Sequence, residues 1–268
     1  MKIKTTIKHT IARLFLRYFK ISIEKVTADD LKRVDSFINA MRPIKTDYPL
    51  IRVGGKGDGG YLLPDILNDI DICFSPGSSN IVHFEQQLID DYAIFCHCLD
   101  GSVDSVPLPM KMHSFDARYL GAKTEDRFIT LTDWVDENYN GNNAILQIDI
   151  ERFEWDVLAN SDKNVLKRFK IICIEFHDLH HLYHRSAGRL MNAILEKILS
   201  THTPVHAHIN NCTEVYKSEG RVVAPVMEVT FLRNDNDFSC YGYSTLPHKL
   251  DSKAVSDLPD IDISQLYN

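Results

Sequence analysis

Short apolar runs recur along the chain after residue 70. They are apolar almost throughout rather than alternating, which is typical of strands buried on both faces of a mainly parallel sheet. Amphipathic segments lie between several of them and predict helices over 82–90, 132–139, 154–166 and 183–199. The apolar runs predict strands over 70–75, 92–100, 143–150, 169–177, 205–209 and 226–233. This alternation predicts a doubly wound α/β sheet.

Two helical patterns precede the first strand. In residues 1–20 an apolar stripe opposes lysines and arginines, which predicts a helix that docks on its own domain, on a partner subunit or on an anionic membrane surface. Thr27 and Asp30 predict a capping box for a second helix, which ends before Pro43. We therefore divide the chain into an N-terminal helical extension and a Rossmann-like domain, whose end, residues 244–268, packs as an extended tail. The two parts cover residues 1–48 and 49–268.

Composition narrows the class of protein. Of 268 residues, 44% are hydrophobic and 25% charged, which is typical of a globular chain. The net charge of -7 disfavours nucleic-acid binding, which needs a basic face. Four of the six cysteines lie in predicted strands, so we expect buried, reduced thiols. We expect a cytoplasmic protein, with the inner membrane face as an alternative location.

Small and acidic residues follow the first two predicted strands, where an open α/β sheet binds its ligands. Asp100 and Gly101 end the second strand, and a carboxylate there can accept two hydrogen bonds from a ribose. The turn after the first strand lets a ligand approach its backbone, but it lacks the three-glycine dinucleotide fingerprint and the phosphate-loop Lys-Ser/Thr. The turn consists of Gly77, Ser78, Ser79 and Asn80. Together these residues predict an adenosine-containing cofactor and disfavour NAD.

Charged residues cluster at the ends of two central strands. Asp149 and Glu151 follow one strand, and Glu175 and His177 end the next. Such groups are costly when they are buried for structure alone, so we predict that they are catalytic. His177 can act as a general base near neutral pH, and Asp149 can orient it or bind a metal.

A further polar group ends the fifth predicted strand. His208, Asn210 and Asn211 offer donors and acceptors suited to sugar hydroxyls. With Asp149 and His177, His208 can complete an O/N site for Mn²⁺, Fe²⁺ or Mg²⁺. The histidines that follow residue 177 lack the HEXXH pattern, which disfavours a zinc protease.

Several segments together resemble the FkbM-type methyltransferases. The strongest similarity is QIDIERFEWDVL followed by IEFH, which matches the family's Asp-Ile/Val-Glu-Gly-x-Glu block and its strand ending in Glu-x-His. GGKGDGGYLLP, CFSPGSSNIVHFE, HINN and VMEVTFLR extend the resemblance over residues 50–260. Arg152 stands where the family has glycine, and PGSSN replaces its usual Gly-rich turn.

The resemblance implies an O-methyltransferase that uses S-adenosylmethionine (SAM), with a class I fold whose last strand is antiparallel. It implies cofactor contacts from the turn at 77–80, Glu85, Asp100 and Gly101, and places Asp149 beside the sulfonium. It implies as acceptor a hydroxyl of a bacterial surface polysaccharide or related glycan. The candidate acceptor-binding residues are Lys56, Asp58, Tyr61, His208, Asn210 and Asn211. A metal-dependent hydrolase, a nicotinamide-dependent oxidoreductase and a non-catalytic binding module remain alternatives.

Overall fold

The computed structural model describes residues 25–109, 111–235 and 238–267. The predicted amphipathic helix over 1–20, and with it the predicted membrane or subunit contact, lies outside these residues. Within the described ranges, no helix is long and apolar enough to cross a membrane.

The described residues form a mixed α/β fold. The helices are α1 (Ala28–Ala40), α2 (His83–Tyr92), α3 (Leu131–Asn138), α4 (Glu154–Asn160), α5 (Lys163–Leu166) and α6 (Arg185–Leu199). The strands are β1 (Ile44–Thr46), β2 (Leu50–Val53), β3 (Tyr61–Pro64), β4 (Ile72–Pro76), β5 (Phe95–Leu99), β6 (His113–Asp116), β7 (Tyr119–Leu120), β8 (Phe128–Ile129), β9 (Ala144–Ile148), β10 (Phe169–Phe176), β11 (His202–Ile209), β12 (Tyr216–Ser218), β13 (Arg221–Val223), β14 (Met227–Arg233) and β15 (Cys240–Tyr243). Short 3₁₀ helices cover Leu67–Asp69, Leu179–Tyr183 and Ile263–Leu266.

A seven-stranded sheet organises the fold, in the order β11-β14-β10-β9-β4-β5-β6. Strand β14 is antiparallel to both of its neighbours, and the other pairs in the sheet are parallel. The six predicted strands all belong to this sheet, so the predicted mostly parallel α/β architecture is confirmed. The sequence analysis missed the edge strand β6, whose residues carry no apolar run.

The chain changes direction across the sheet at β4. Strands β5 and β6 lie on one side of β4, and β9 and β10 on the other. Backbone pairing between β4 and β9 ends at Phe74 and Leu146, whereas pairing between β4 and β5 continues to Pro76 and Leu99. A cleft can therefore open at the carboxyl ends of β4 and β9, which is where open α/β sheets bind ligands.

Both faces of the sheet are buried. Every residue of β9 and β10 is buried, as the unbroken apolar runs predicted. The cysteines of the sheet, Cys73, Cys96, Cys98 and Cys173, are buried as predicted, and none of the four forms a disulfide. Helix α1 begins at the predicted capping box and joins the same core, because its Phe37 ring packs on Trp155. The described part of the predicted N-terminal extension thus shares the core of the α/β domain.

The prediction of one continuous helix over 154–166 was wrong. The structure has two helices there, α4 and α5, separated at Ser161 and Asp162. The Asp162 side chain accepts hydrogen bonds from the amides of Asn164 and Val165, so it caps a new helix. This local bond competes with helix continuation and explains the break.

The tail packs against the end of β11, as predicted. Asn211 donates its amide to the carbonyl oxygens of Val255, Leu258 and Pro259. His206 Nε2 lies 2.8 Å from Asp251 Oδ1. The edge strand β11 and the segment after it therefore anchor residues 251–259 of the tail.

Candidate active site

A cavity of about 620 Å³ opens at the carboxyl ends of β4, β5 and β9. Its size is in the range of small-molecule sites. None of the described residues in its wall is Lys, Arg or His. Five are acidic: Asp58, Glu85, Asp100, Asp149 and Glu151. The cavity is therefore electronegative and disfavours anionic ligands.

The turn after β4 is built around Gly77. Its φ is +87°, and a Cβ there would lie 1.8 Å from the carbonyl oxygen of Asp149. Both the backbone conformation and the close approach require glycine. The turn thereby places Ser78 and Ser79 in the cavity wall, whereas Asn80, predicted as a cofactor contact, is exposed and lies outside the wall.

Asp100 joins the turn after β4 to the end of β5. Its Oδ2 accepts from the Ser79 amide at 3.0 Å, and its Oδ1 accepts from the amide and hydroxyl of Ser102 at 2.7 and 2.6 Å. A carboxylate has about four acceptor positions, so Asp100 keeps about one for a ligand. Gly101 is buried behind it, because the ring of Tyr119 would lie 2.5 Å from a Cβ at that position.

A buried hydrogen-bond chain runs along one wall. The Ser75 hydroxyl bonds to Glu85 and lies 2.7 Å from Gln147 Oε1, and Gln147 Nε2 donates to the Tyr61 hydroxyl at 3.1 Å. Glu85 is 2% exposed, and burial raises the pKa of its carboxyl to about 7. Among the described residues, its Oε2 has no hydrogen-bond partner. An orphaned buried acceptor in a cavity wall indicates a ligand with a donor group.

Asp149, Glu175 and His177 converge from the ends of β9 and β10. Each offers one ligand atom that lies within 4.8 Å of the other two. His177 Nδ1 faces Glu154 Oε1 at 3.2 Å, and its Nε2 lies 3.4 Å from Glu175 Oε1. The Asn210 amide donates to both oxygens of Glu175 at 3.3 and 3.2 Å.

Burial and mutual repulsion shift the proton affinities of this cluster. Burial raises the pKa of Asp149 to about 7, although His177 opposes the shift. Burial, with the charges of Asp149 and Glu228, raises the pKa of Glu175 to about 10. For His177, burial lowers the pKa, but Glu154 and the other carboxylates outweigh it, so the net shift is upward. The cluster therefore favours bound cations, either protons or an ion.

The other predicted site residues are more dispersed. His208 Nδ1 lies 3.8 Å from Glu228, and the geometry groups Glu175 rather than His208 with Asp149 and His177. Asn211 anchors the tail, as described above. In the glycine-rich loop between β2 and β3, Asp58 lines the cavity and Lys56 is exposed outside its wall.

Sequence reasoning missed several residues of the site. Glu154 is fully buried, and its Oε1 accepts from the amides of Ile150 and Arg152 besides facing His177. An acid in the first turn of an apolar helix was the available signal. Tyr119 and Phe128 also line the cavity, but they come from a region in which no element was predicted.

The turn between β9 and α4 is strained. Glu151 has φ +54° and Arg152 has φ +85°, both in the left-handed region that favours glycine. Both residues therefore hold a backbone conformation that side chains adopt at a cost.

Neither a comparison with family models nor a comparison with curated protein sequences gives a match.

We predict that Arg152→Gly raises the free energy of unfolding by about 1 kcal/mol, because glycine relieves the positive φ and part of that gain is offset by its flexibility when unfolded. Urea denaturation measures this change. The control is Arg152→Ala, which also removes the contact to Asp178 but keeps the strain. Equal stability of the two variants would contradict the prediction.

We predict that the Glu85→Gln substitution increasingly stabilises the folded protein, relative to the wild type, as the pH rises. The raised pKa of about 7 means that the folded protein binds the extra proton between about pH 4.5 and 7, so the wild type loses stability as the pH rises through that window. Glutamine mimics the protonated acid and avoids the loss, which reaches about 3 kcal/mol at pH 8. Urea denaturation at pH 5 and pH 8 measures it, with exposed Glu125→Gln as the control. A pH-independent difference would refute the assignment.

Proposed function

We propose that this chain is a SAM-dependent O-methyltransferase that acts on a hydroxyl of a glycan or related polyhydroxylated acceptor. The observation that carries the proposal is the acidic cavity without a basic residue in its described wall. SAM brings a sulfonium and an ammonium group, which the carboxylates attract. The pyrophosphate of NAD would instead face five acids, which disfavours a nicotinamide-dependent oxidoreductase.

The cavity residues fit SAM. The orphaned Oε2 of Glu85 can accept from the ammonium group, which satisfies a buried atom that otherwise lacks a partner. Asp100 with Ser102 offers acceptors for ribose hydroxyls, and Tyr119 and Phe128 supply an apolar wall for adenine. When bound, SAM supplies an electrophilic methyl group.

The sheet topology supports the same proposal. Counted along the chain, its strands have the order 3-2-1-4-5-7-6, with the seventh antiparallel. The dinucleotide-binding order 3-2-1-4-5-6 lacks that inserted strand. An antiparallel last strand is what the resemblance to FkbM-type methyltransferases implies.

The acceptor end of the cavity is proposed to lie at Asp149. Asp58, Tyr61 and Glu151 lie in the same wall and can accept hydrogen bonds from acceptor hydroxyls. Holding the acceptor oxygen in line with the methyl group supplies most of the catalysis, and Asp149 takes the hydroxyl proton with His177 beside it. The same acids disfavour a carboxylated or phosphorylated acceptor.

A cytoplasmic location is the one that fits the proposed use of SAM, and the contact of residues 1–20 with the inner membrane face or a second subunit stays a prediction. A hydrolase with a metal held by Asp149, His177 and His208 is disfavoured, because the ligand atoms that gather with those of Asp149 and His177 come from Glu175 and not from His208. A non-catalytic module predicts SAM binding without transfer.

We predict that the chelator-treated protein binds SAM and not NAD in calorimetric titrations. Glu85→Gln should weaken SAM binding about tenfold, because a neutral amide pairs less well with an ammonium group. Asn80→Ala, outside the cavity wall, is the matched control and should bind SAM as the wild type does. NAD binding without SAM binding would overturn the proposed cofactor.

We predict that label from methyl-labelled SAM passes to neutral oligosaccharides and not to uronic acid-containing ones. Asp149→Asn should abolish transfer while SAM affinity stays within about threefold, because the amide no longer takes the proton. Thin-layer and mass-spectrometric detection of methylated products measure transfer. Undiminished transfer by Asp149→Asn would remove Asp149 from this role, and a preference for uronic acids would contradict the acceptor class.

A further inference from the structure

Three side chains with metal-binding atoms meet at the ends of two adjacent parallel strands. Gln147 and Ile148 of β9 pair in register with Cys173 and Ile174 of β10, so Asp149, which follows β9, comes beside Glu175, which is still within β10. Asp149, Glu175 and His177 thereby bring their ligand atoms within 4.8 Å of one another. Ligands at ~2.1 Å from one ion lie roughly 3 to 4.2 Å apart, so small side-chain rotations suffice to bind it.

The histidine is oriented as a metal ligand requires. Its Nδ1 faces Glu154, and Glu154 is itself fixed by the amides of Ile150 and Arg152. A metal-ligating imidazole characteristically donates its other ring N–H to a carboxylate. This arrangement leaves the lone pair of His177 Nε2 directed at the cluster, where Glu175 Oε1 lies at 3.4 Å.

The carboxylate of Glu175 is also held in place by a neighbouring side chain. The Asn210 amide donates to both oxygens of Glu175, which fixes the side chain without neutralising it. Glu228 of β14 lies opposite Glu175 in the strand register, and the Oε2 of the exposed Glu151 lies 3.8 Å from His177 Nε2. Of the acids near the imidazole, Glu154 and Glu175 are buried, and buried like charges need a compensating cation.

We infer that Asp149, Glu175 and His177 bind one divalent transition-metal ion at the inner end of the cavity. Two carboxylates and one imidazole suit Mn²⁺ or Fe²⁺ better than Ca²⁺ or a structural zinc ion. Of the three residues only Asp149 lies in the cavity wall, so coordination positions left open on that side of the ion face the cavity. If the proposed function holds, those positions take acceptor oxygens; the ion site itself does not depend on it.

A second group of ligands provides the rival location. Asp178, His180 and His181 also lie within 4.8 Å of one another, on the partly exposed segment after β10. Arg152 lies 3.5 Å from Asp178, and its charge opposes a cation there. We therefore assign the ion to the buried group, and the experiment separates the two.

The test is Mn²⁺ binding by the full, chelator-treated chain, measured as loss of the free Mn²⁺ electron paramagnetic resonance signal. We expect one site with a dissociation constant below ~100 μM. Glu175→Gln and His177→Ala should each weaken it by about tenfold or more. His208→Ala should leave it within about threefold, because His208 does not belong to the group. Circular dichroism verifies that each variant is folded.

Two outcomes overturn the inference. The first is no saturable binding at millimolar Mn²⁺. The second is binding that His180→Ala abolishes while Glu175→Gln and His177→Ala leave it intact, which places the ion at the outer group. SAM titration of the same samples separates this inference from the proposed function. SAM binding without Mn²⁺ binding removes the ion site alone, and Mn²⁺ binding without SAM binding supports the ion site and removes the methyltransferase.

Discussion

The contact between Gly77 and the carbonyl oxygen of Asp149 is the constraint on which the site depends. Strands β4 and β9 stop pairing two residues before β4 ends, and the turn after β4 then passes against the end of β9. A side chain at residue 77 would occupy the position of that carbonyl. Because the turn passes so close, the residues following β4 and β9 share one cavity wall, and neither could be moved without the other.

The clustering of carboxylates in the cavity wall also follows from this geometry. Asp100 follows β5, Asp149 and Glu151 follow β9, and helix α2 and the loop after β2 add Glu85 and Asp58. The fold brings these acids together in one cavity without a basic residue in its described wall. Burial raises the pKa values of Glu85, Asp149 and Glu175, and neighbouring carboxylates add to the shift at Asp149 and Glu175. Such acids take up protons or attract cations. The same negative potential favours a cationic cofactor, disfavours an anionic acceptor and attracts the inferred metal ion.

The site also contains features that lower the folding stability of the protein. Two consecutive residues of positive φ, Glu151 and Arg152, form the turn that positions Glu154 behind His177. The Oε2 atom of Glu85, which has no hydrogen-bond partner among the described residues, is a further cost. A fold can hold such locally unfavourable features when the surrounding core is well packed. Here the fully buried strands β9 and β10 provide that core.

The sequence by itself determined the sheet strands with long apolar runs, the capped helix α1 and the acids at the strand ends, because burial on two faces and side-chain capping leave local patterns. It missed β6, the break at Ser161, and the contributions of Tyr119 and Glu154, which carry weak local signals. Only the tertiary structure decided which candidates meet: Glu175 joins Asp149 and His177, while His208 and Asn211 are engaged elsewhere. Strand order and the direction of each side chain arise from long-range pairing and packing, and no local pattern encodes them.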